Sequence, residues 1–251
     1  LTRYTGRITL DQKISNRFST GLTVNNSVYT QNGQIVNQGQ AGSGQPTSYL
    51  LVSAWMYRPV GNLLTDNILE DPADNEAVTT SDIRVNPFIS QQNQYQRNNT
   101  NLLETSGYLT INITKDLIFK TVGGYRKNIY TAEAFYNSMT SQGSPWNLNN
   151  INGINGSIRN TTSTILTNSN TLTYNKTINK DHHITVMGLL ENGKTKTESN
   201  GYGGRLLPNE NLGISGIDEG TAYNAIMSTS PSTLVSYGGR VNYNYKSRYL
   251  L

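Results

Sequence analysis

Residues Tyr4 to Val24 read YTGRITLDQKISNRFSTGLTV, and apolar and polar side chains alternate through them with a period of two. In the first half, the residues of one face are Tyr4, Gly6, Ile8 and Leu10. After a break at 14–17, the alternation restarts with Phe18, Thr20, Leu22 and Val24. Two such segments joined by a few residues predict an antiparallel hairpin with one apolar and one polar face.

The same pattern recurs further along the chain, at residues 108–125, 172–190 and 237–251. Each recurrence has two alternating segments around a short polar connection, and in the last one the second segment is only Tyr249–Leu251. We therefore predict about seven strands and a short eighth, each about long enough to cross an outer membrane at a tilt.

The connections between these segments alternate between short and long. Short connections lie near Ile14, Lys115, Asn179 and Ser247, and long ones span about residues 31–101, 127–162 and 192–233. An up-and-down transmembrane barrel has this asymmetry, because its short turns lie on one side of the membrane and its long loops on the other. A β-solenoid would instead show a fixed repeat of similar coils, and no such repeat is found.

Composition narrows the choice of protein class. The 251 residues carry a net charge of +4, are only 14% charged and 35% hydrophobic, and include 16 Tyr and no Cys. This composition argues against a nucleic-acid-binding surface and removes cysteine chemistry, and the apolar runs are too short for membrane helices. We predict an all-β, antiparallel up-and-down transmembrane β-barrel segment with long extracellular loops. Residues 1–251 are expected to form part of one barrel domain, without its closing strands, because about seven strands cannot close a bacterial barrel of even strand number.

Four segments also resemble the barrel of SusC/RagA-type TonB-linked outer-membrane transporters of the Bacteroidetes. They are Tyr4–Leu10, Lys115–Tyr125, Asp181–Glu191 and Arg240–Leu251. The resemblance follows the order of the hairpins and covers most strands and short turns, but not the long loops. It implies that residues 1–251 are a middle section of a barrel of about 22 strands, which is occluded by a plug domain that these residues are not expected to include.

The resemblance further implies a nutrient importer in the outer membrane. Its substrate would be an oligosaccharide or a peptide, its energy would come from the TonB complex acting through the plug, and its surface partner would be a SusD-like lipoprotein. Two transporter–lipoprotein pairs would form a dimer. No cofactor, metal, nucleic acid or enzymatic activity is expected.

The longest connection and the next one hold the candidate ligand-contact residues Trp55, Tyr57, Arg58 and Trp146. Aromatic rings stack on sugars or peptide side chains, and arginine offers a planar set of hydrogen-bond donors. Packing within the loop, or contact with the lipoprotein, is the alternative role for these side chains.

Several charged residues allow both a structural and a functional role. Arg7, Arg240 and Lys246 fall on polar faces, so we expect them to line the lumen and contact the plug. His182 and His183 are adjacent at a turn, where they would point to opposite faces and not share a metal ion.

Two further sets are expected to be structural. The acidic residues Glu70, Asp71, Asp74 and Glu76 lack the spacing and glycine of a calcium loop and are expected to be solvated. A membrane-interface girdle is expected from Tyr4, Phe18, Phe119, Tyr174, Tyr237 and Tyr245.

Two other classes of protein stay open from the sequence. A secreted or surface-attached β-rich adhesin shares the Asn/Gly/Thr-rich composition, but it has no reason to alternate short and long connections. An outer-membrane hydrolase barrel would need a histidine beside a serine and a carboxylate, and nothing in the sequence indicates that arrangement.

Overall fold

The computed structural model describes residues 1–33, 54–55, 87–140, 142–144, 150–179 and 181–246, together with the backbone of 249–250. The strands are β1 Thr2–Lys13, β2 Phe18–Asn32, β3 Gln94–Asn112, β4 Leu117–Tyr136, β5 Asn155–Ile178, β6 His182–Arg205, β7 Thr221–Tyr245 and β8 Tyr249–Leu250. A short helix, α1, spans Pro87–Gln92, and a segment of 3-10 turns spans Glu210–Glu219.

These strands form one eight-stranded sheet in the order of the sequence, from β1 to β8. Every neighbouring pair is antiparallel. The predicted seven strands and short eighth are therefore confirmed, and the meander differs from the stacked coils of a solenoid. Within the described residues, no helix is both long enough and apolar enough to span a membrane.

The sheet has an apolar and a polar face, as the alternation predicted. Directly opposed residues point to the same side of a sheet, and one such row runs Ile8, Val24, Thr105, Tyr125 and Leu166. We call the side of this row the apolar face. The neighbouring row runs Arg7, Asn25, Glu104, Arg126 and Ile165, and its side is the polar face.

The short turns are held by hydroxyl side chains. Ser15 Oγ accepts from the backbone N–H groups of Arg17 and Phe18, at 3.1 and 3.2 Å. Thr114 Oγ1 accepts in the same way from Asp116 and Leu117, at 3.2 and 3.0 Å. Such bonds satisfy backbone donors that the sheet leaves free at a tight turn. We call this edge of the sheet the short-turn end and the opposite edge the long-loop end.

The strands extend much further toward the long-loop end than the sequence suggested. The expected long connections at 127–162 and 192–233 are wrong in their bounds, because the strands leave only 137–154 and 206–220 between them. β5 and β6 each have 24 residues and β7 has 25. The ladder hydrogen bonds continue where both faces have become polar, so hydropathy alternation no longer marks the strand there.

The best-packed part of the described chain lies at the long-loop end. The buried hydrophobic residues are Phe135, Leu207 and Ile217. Elsewhere many large apolar side chains are exposed, among them Ile8, Leu10, Leu234 and Val241 at 61–74%. A sheet that exposes so much apolar surface needs another apolar medium or partner to cover it.

Candidate functional site

A pocket of about 460 Å³ lies on the polar face, at the middle of β1 to β5. Its charged lining residues are Arg7, Glu104 and Arg126. Asn25, Thr23, Ser106 and Thr167 add polar side chains, and Ile165 adds an apolar one. Five consecutive strands contribute to this one pocket, so we infer that the polar face is the concave side of the sheet.

The strand register positions these side chains. Asn25 lies opposite Glu104, and Glu104 lies opposite Arg126, so the three form one row across β2, β3 and β4. Asn25 Nδ2 donates to Glu104 Oε2 at 3.2 Å, and Arg126 Nε lies 3.3 Å from Glu104 Oε1. Glu104 is therefore held from both sides, and Arg7 extends the row on β1.

This row carries more positive than negative charge. Arg7 and Arg126 supply two guanidinium groups, and Glu104 supplies the one carboxylate of the pocket lining. The side chains of Arg126 and Glu104 are 51% and 41% exposed, so water screens their attraction. The pocket thus keeps about one positive charge and a set of planar donors, which suits a carboxylate or a hydroxyl-rich group.

A second polar cluster lies at the long-loop end of the same face. Gln96 Nε2 donates to the Tyr136 hydroxyl at 2.9 Å. Burial raises the pKa of Tyr136, and it also raises the pKa of Tyr223, which the nearby Arg205 partly offsets. The buried Nε of Arg205 has no hydrogen-bond partner in the part of the chain that the structure describes. The cluster offers two phenol rings and a guanidinium beside the loops.

The connection 206–220 packs against the sheet beside this cluster. Its Leu206 and Leu207 N–H groups donate to the Asn152 and Ile154 carbonyls, at 2.7 and 3.1 Å. Glu210 Oε2 accepts from the Ser138 N–H at 2.9 Å. We call residues 206–220 the β6–β7 strap, because it ties the loop after β4 to the end of β6.

Glycine lets the strap approach β6. A Cβ on Gly204 would lie 2.0 Å from the Ile217 carbonyl oxygen, a backbone atom of the strap. Only a residue without a side chain fits this approach. The strap and the end of β6 are therefore packed backbone against backbone.

Of the predicted ligand-contact residues, the structure places one. Trp55 is 91% exposed, so it packs against little of the described chain. Tyr57, Arg58 and Trp146 lie outside the described residues, as does the acidic group 70–76.

The predicted lumen-facing residues separate into two groups. Arg7 and Arg240 lie on the polar face of β1 and β7, and Arg7 lines the pocket. β7 ends at Tyr245, so Lys246 lies in the following turn and not on a strand face as expected. Its Nζ is 3.8 Å from Asp181 Oδ2 and 5.3 Å from the centre of the Tyr245 ring. Lys246 therefore forms an ion pair with Asp181 at the short-turn end of the sheet.

The two histidines bond to different strands. His182 Nδ1 lies 2.6 Å from the Tyr243 hydroxyl, and its ring stacks on Tyr243 at 5.9 Å between centroids. His183 Nδ1 lies 2.9 Å from Thr177 Oγ1. Each imidazole thus has its own partner, in keeping with the expectation that the pair points to opposite faces.

The sequence did not single out Glu104, Arg126, Tyr136, Arg205 or Tyr223. All five lie on strands, but in stretches where alternation is weak, and three of them, Tyr136, Arg205 and Tyr223, fall in segments expected to be loops. Glu104 and Arg126 are charged residues at positions where the alternation of their strand predicts the polar face. This is the one signal that the sequence offers for them.

Comparison with known proteins agrees with the fold. No family model matches the chain. Two TonB-dependent receptors of Formosa agariphila align with all of it, at 24% and 26% identity. Over its whole length, the chain is similar to TonB-dependent receptors. This agrees with the SusC/RagA-type resemblance found in the sequence, and both relatives are receptors by name.

Solved structures give the same fold. The structure of the RagAB peptide transporter matches 97% of this chain with a TM-score of 0.67 and 15% identity. The RagAB peptide importer in an open-open state matches the same share with a TM-score of 0.63. The chain spans about a quarter of the length of the curated relatives, at 24% of each, and 26% of the RagAB chain.

Proposed function

We propose that residues 1–251 are part of the barrel of a TonB-dependent importer in the bacterial outer membrane. The observation that carries this proposal is the two-faced meander, with short turns at one end and long connections at the other. Lipid would cover the apolar face, and the polar face would line a lumen. The similarity to TonB-dependent receptors over the full chain supports the same function.

Strand length agrees with this placement. At about 3.3 Å per residue, a strand of 24 residues is about 80 Å long, a little more than twice what the apolar band of about 25 Å requires when the strand is tilted. The outer parts of β5, β6 and β7 would then stand above the membrane. The second polar cluster, with Tyr136, Arg205 and Tyr223, and the β6–β7 strap would lie at the outer mouth, where substrate enters.

The proposed substrates are oligosaccharides or peptides. The pocket with Arg7, Glu104 and Arg126 offers donors and an acceptor to either class, and the solved relative with the same fold is described as a peptide transporter. At the mouth, Trp55, Tyr57, Arg58 and Trp146 are the proposed ligand contacts. Arg7 and Arg240 are the proposed contacts of the plug within the lumen.

The proposed partners follow from the same assignment. A SusD-like surface lipoprotein would cap the mouth, and the TonB complex would act through the plug. Two such pairs would form a dimer. Purification of the full-length receptor from outer membranes, followed by native mass spectrometry, tests the lipoprotein partner and the dimer. The expected mass is that of two receptors with two lipoproteins.

Uptake by cells tests the proposed function directly. A strain lacking the full-length receptor is compared with its complemented strain for uptake of labelled peptides and labelled oligosaccharides, with and without a protonophore. We expect uptake of one class in the complemented strain, and its loss with the protonophore. Equal uptake by both strains, for both classes, would refute the importer.

Alanine variants at the mouth test the ligand contacts. Trp55→Ala with Trp146→Ala in the full-length receptor is expected to weaken the apparent affinity for substrate, at unchanged receptor abundance. Phe88→Ala is the matched control, since Phe88 is also exposed, at 67%, and was not assigned to ligand. Unchanged affinity in the tryptophan variant would remove these residues from the proposal.

A further inference from the structure

Three lysines lie together on the apolar face, away from the pocket and the mouth. Lys127 of β4 is opposite Thr164 of β5, and Thr164 is opposite Lys196 of β6. Lys194 is opposite Leu166, one step closer to the short-turn end. We call Lys127, Lys194 and Lys196 the lysine patch.

The patch begins where the apolar surface ends. Along β6, the side chains of the apolar face run Ile184, Val186, Gly188 and Leu190, and then Asn192, Lys194 and Lys196. Along β4, Tyr125 is followed on the same face by Lys127, and Ile129 beyond it is 37% exposed. On both strands the lysines begin on the side of the long-loop end. The apolar face of β6 thus changes from apolar to basic, and Lys127 of β4 lies at the same level of the sheet.

The patch keeps a net positive charge. Lys196 Nζ lies 2.7 Å from Glu198 Oε1, and the two side chains are 48% and 49% exposed. Glu198 therefore balances one of the three ammonium groups. Lys194 is exposed beside it, and Lys127 is half-buried. Threonines lie between the lysines, and Thr164 offers a hydroxyl as a further donor.

We propose that the lysine patch binds the phosphate groups of a lipid in the outer leaflet, whose acyl chains lie against the apolar band below. Phosphate carries more charge than a carboxylate and accepts several hydrogen bonds, so it matches ammonium groups flanked by a hydroxyl. Lysine stems reach along apolar surface while their charged ends stay at the water boundary. The inference rests on the proposed outer-membrane barrel, because the membrane supplies the lipid.

Binding of defined lipids to the full-length receptor tests the proposal. The receptor is purified in neutral detergent, and retention is measured by native mass spectrometry with diphosphorylated lipid A, with the same lipid after dephosphorylation, and with inorganic phosphate alone. The test variant is Lys127→Gln with Lys194→Gln and Lys196→Gln. The matched control, Lys13→Gln with Lys115→Gln and Lys120→Gln, removes three lysines from nearer the short-turn end.

We expect diphosphorylated lipid A to bind the wild-type receptor and the control, and to bind the test variant far more weakly. Each lysine near an anionic lipid surface contributes roughly fivefold, so the three together contribute on the order of 100-fold. Dephosphorylated lipid should bind all three proteins equally weakly. Inorganic phosphate should not compete at millimolar concentration, since it lacks the acyl chains.

Other results would overturn the proposal. Equal retention of lipid A by the test variant and the wild type would show that the lysines do not bind it, and equal retention of the dephosphorylated lipid would show that phosphate is not recognised. Competition by inorganic phosphate would assign the patch to a soluble ion. Fractionation of the wild type is run first: absence from the outer membrane refutes the proposed function itself, whereas membrane location without lipid A retention refutes only the lipid site.

Discussion

Replacing Gly204 by alanine should release the β6–β7 strap from the sheet. The new Cβ would lie 2.0 Å from the Ile217 carbonyl oxygen, 3.0 Å from its carbon and 3.0 Å from Ile217 Cγ1. Two of these atoms belong to the backbone, so no rotamer change relieves the contact. The strap would have to move by about 1 Å or more, and overpacking of this kind costs about 1–3 kcal/mol.

That cost fixes the size of the expected effect. A change of about 1–3 kcal/mol shifts the equilibrium between the docked and the open strap by about 5- to 150-fold. Hydrogen exchange of the full-length receptor in detergent, followed by mass spectrometry of peptides covering 206–220, measures this shift directly. The Leu206 and Leu207 amides, which donate to the Asn152 and Ile154 carbonyls, should exchange faster by that factor.

A variant in the same strand provides the control. A Cβ on Gly188 meets nothing within 4 Å, so Gly188→Ala changes the unfolded chain in the same way without touching the strap. We expect wild-type exchange in this control. If exchange in the strap were the same in Gly204→Ala and Gly188→Ala, the backbone packing described here would be refuted.

Two further predictions concern the polar face. Glu104→Gln should lower stability by less than about 1 kcal/mol, because its ion pair with Arg126 is half-exposed; uptake by cells should nevertheless fall, and wild-type uptake would place the pocket off the substrate route. The raised pKa of Tyr136 means that its contribution to stability is complete below pH 10.0, its ordinary value, and is lost as the pH rises through the folded-state pKa. Thermal unfolding between pH 9 and pH 12 should therefore show a smaller loss of stability in Tyr136→Phe than in the wild type, and identical pH curves would contradict this reasoning.

The sequence predicted the fold where one side of each strand is apolar. The pairs Leu10 with Leu22 and Val186 with Val241 lie opposite each other, as expected from segments that alternate in step. Near Gly123 the alternation is ambiguous in the sequence, yet β4 continues without a break. Glycine has no side chain, so the hydropathy pattern does not show which face of the sheet it lies on. It does not interrupt the hydrogen bonds between neighbouring strands.

The sequence could not predict the outer halves of the strands or the sites on them. Beyond Leu190, β6 continues through Asn192, Lys194 and further polar residues to Arg205, where both faces are polar and hydropathy carries no information about face. The row of Asn25, Glu104 and Arg126 depends on the register of β2, β3 and β4. Because β3 follows a long connection without a periodic pattern, its register with β2 cannot be counted from the sequence. Cross-strand neighbours of this kind are fixed by the ladder and not by local sequence.

We propose that the apolar face of this sheet meets lipid while the polar face meets water. The chain contains no cysteine, so single cysteines at 186–190 of β6 can each carry a spin label in the full-length receptor, with cysteines elsewhere replaced. In outer membranes, we predict that labels at Val186, Gly188 and Leu190 are reached by oxygen, and that labels at Met187 and Leu189 are reached by a water-soluble nickel chelate. Equal access of the chelate to all five positions would contradict the account.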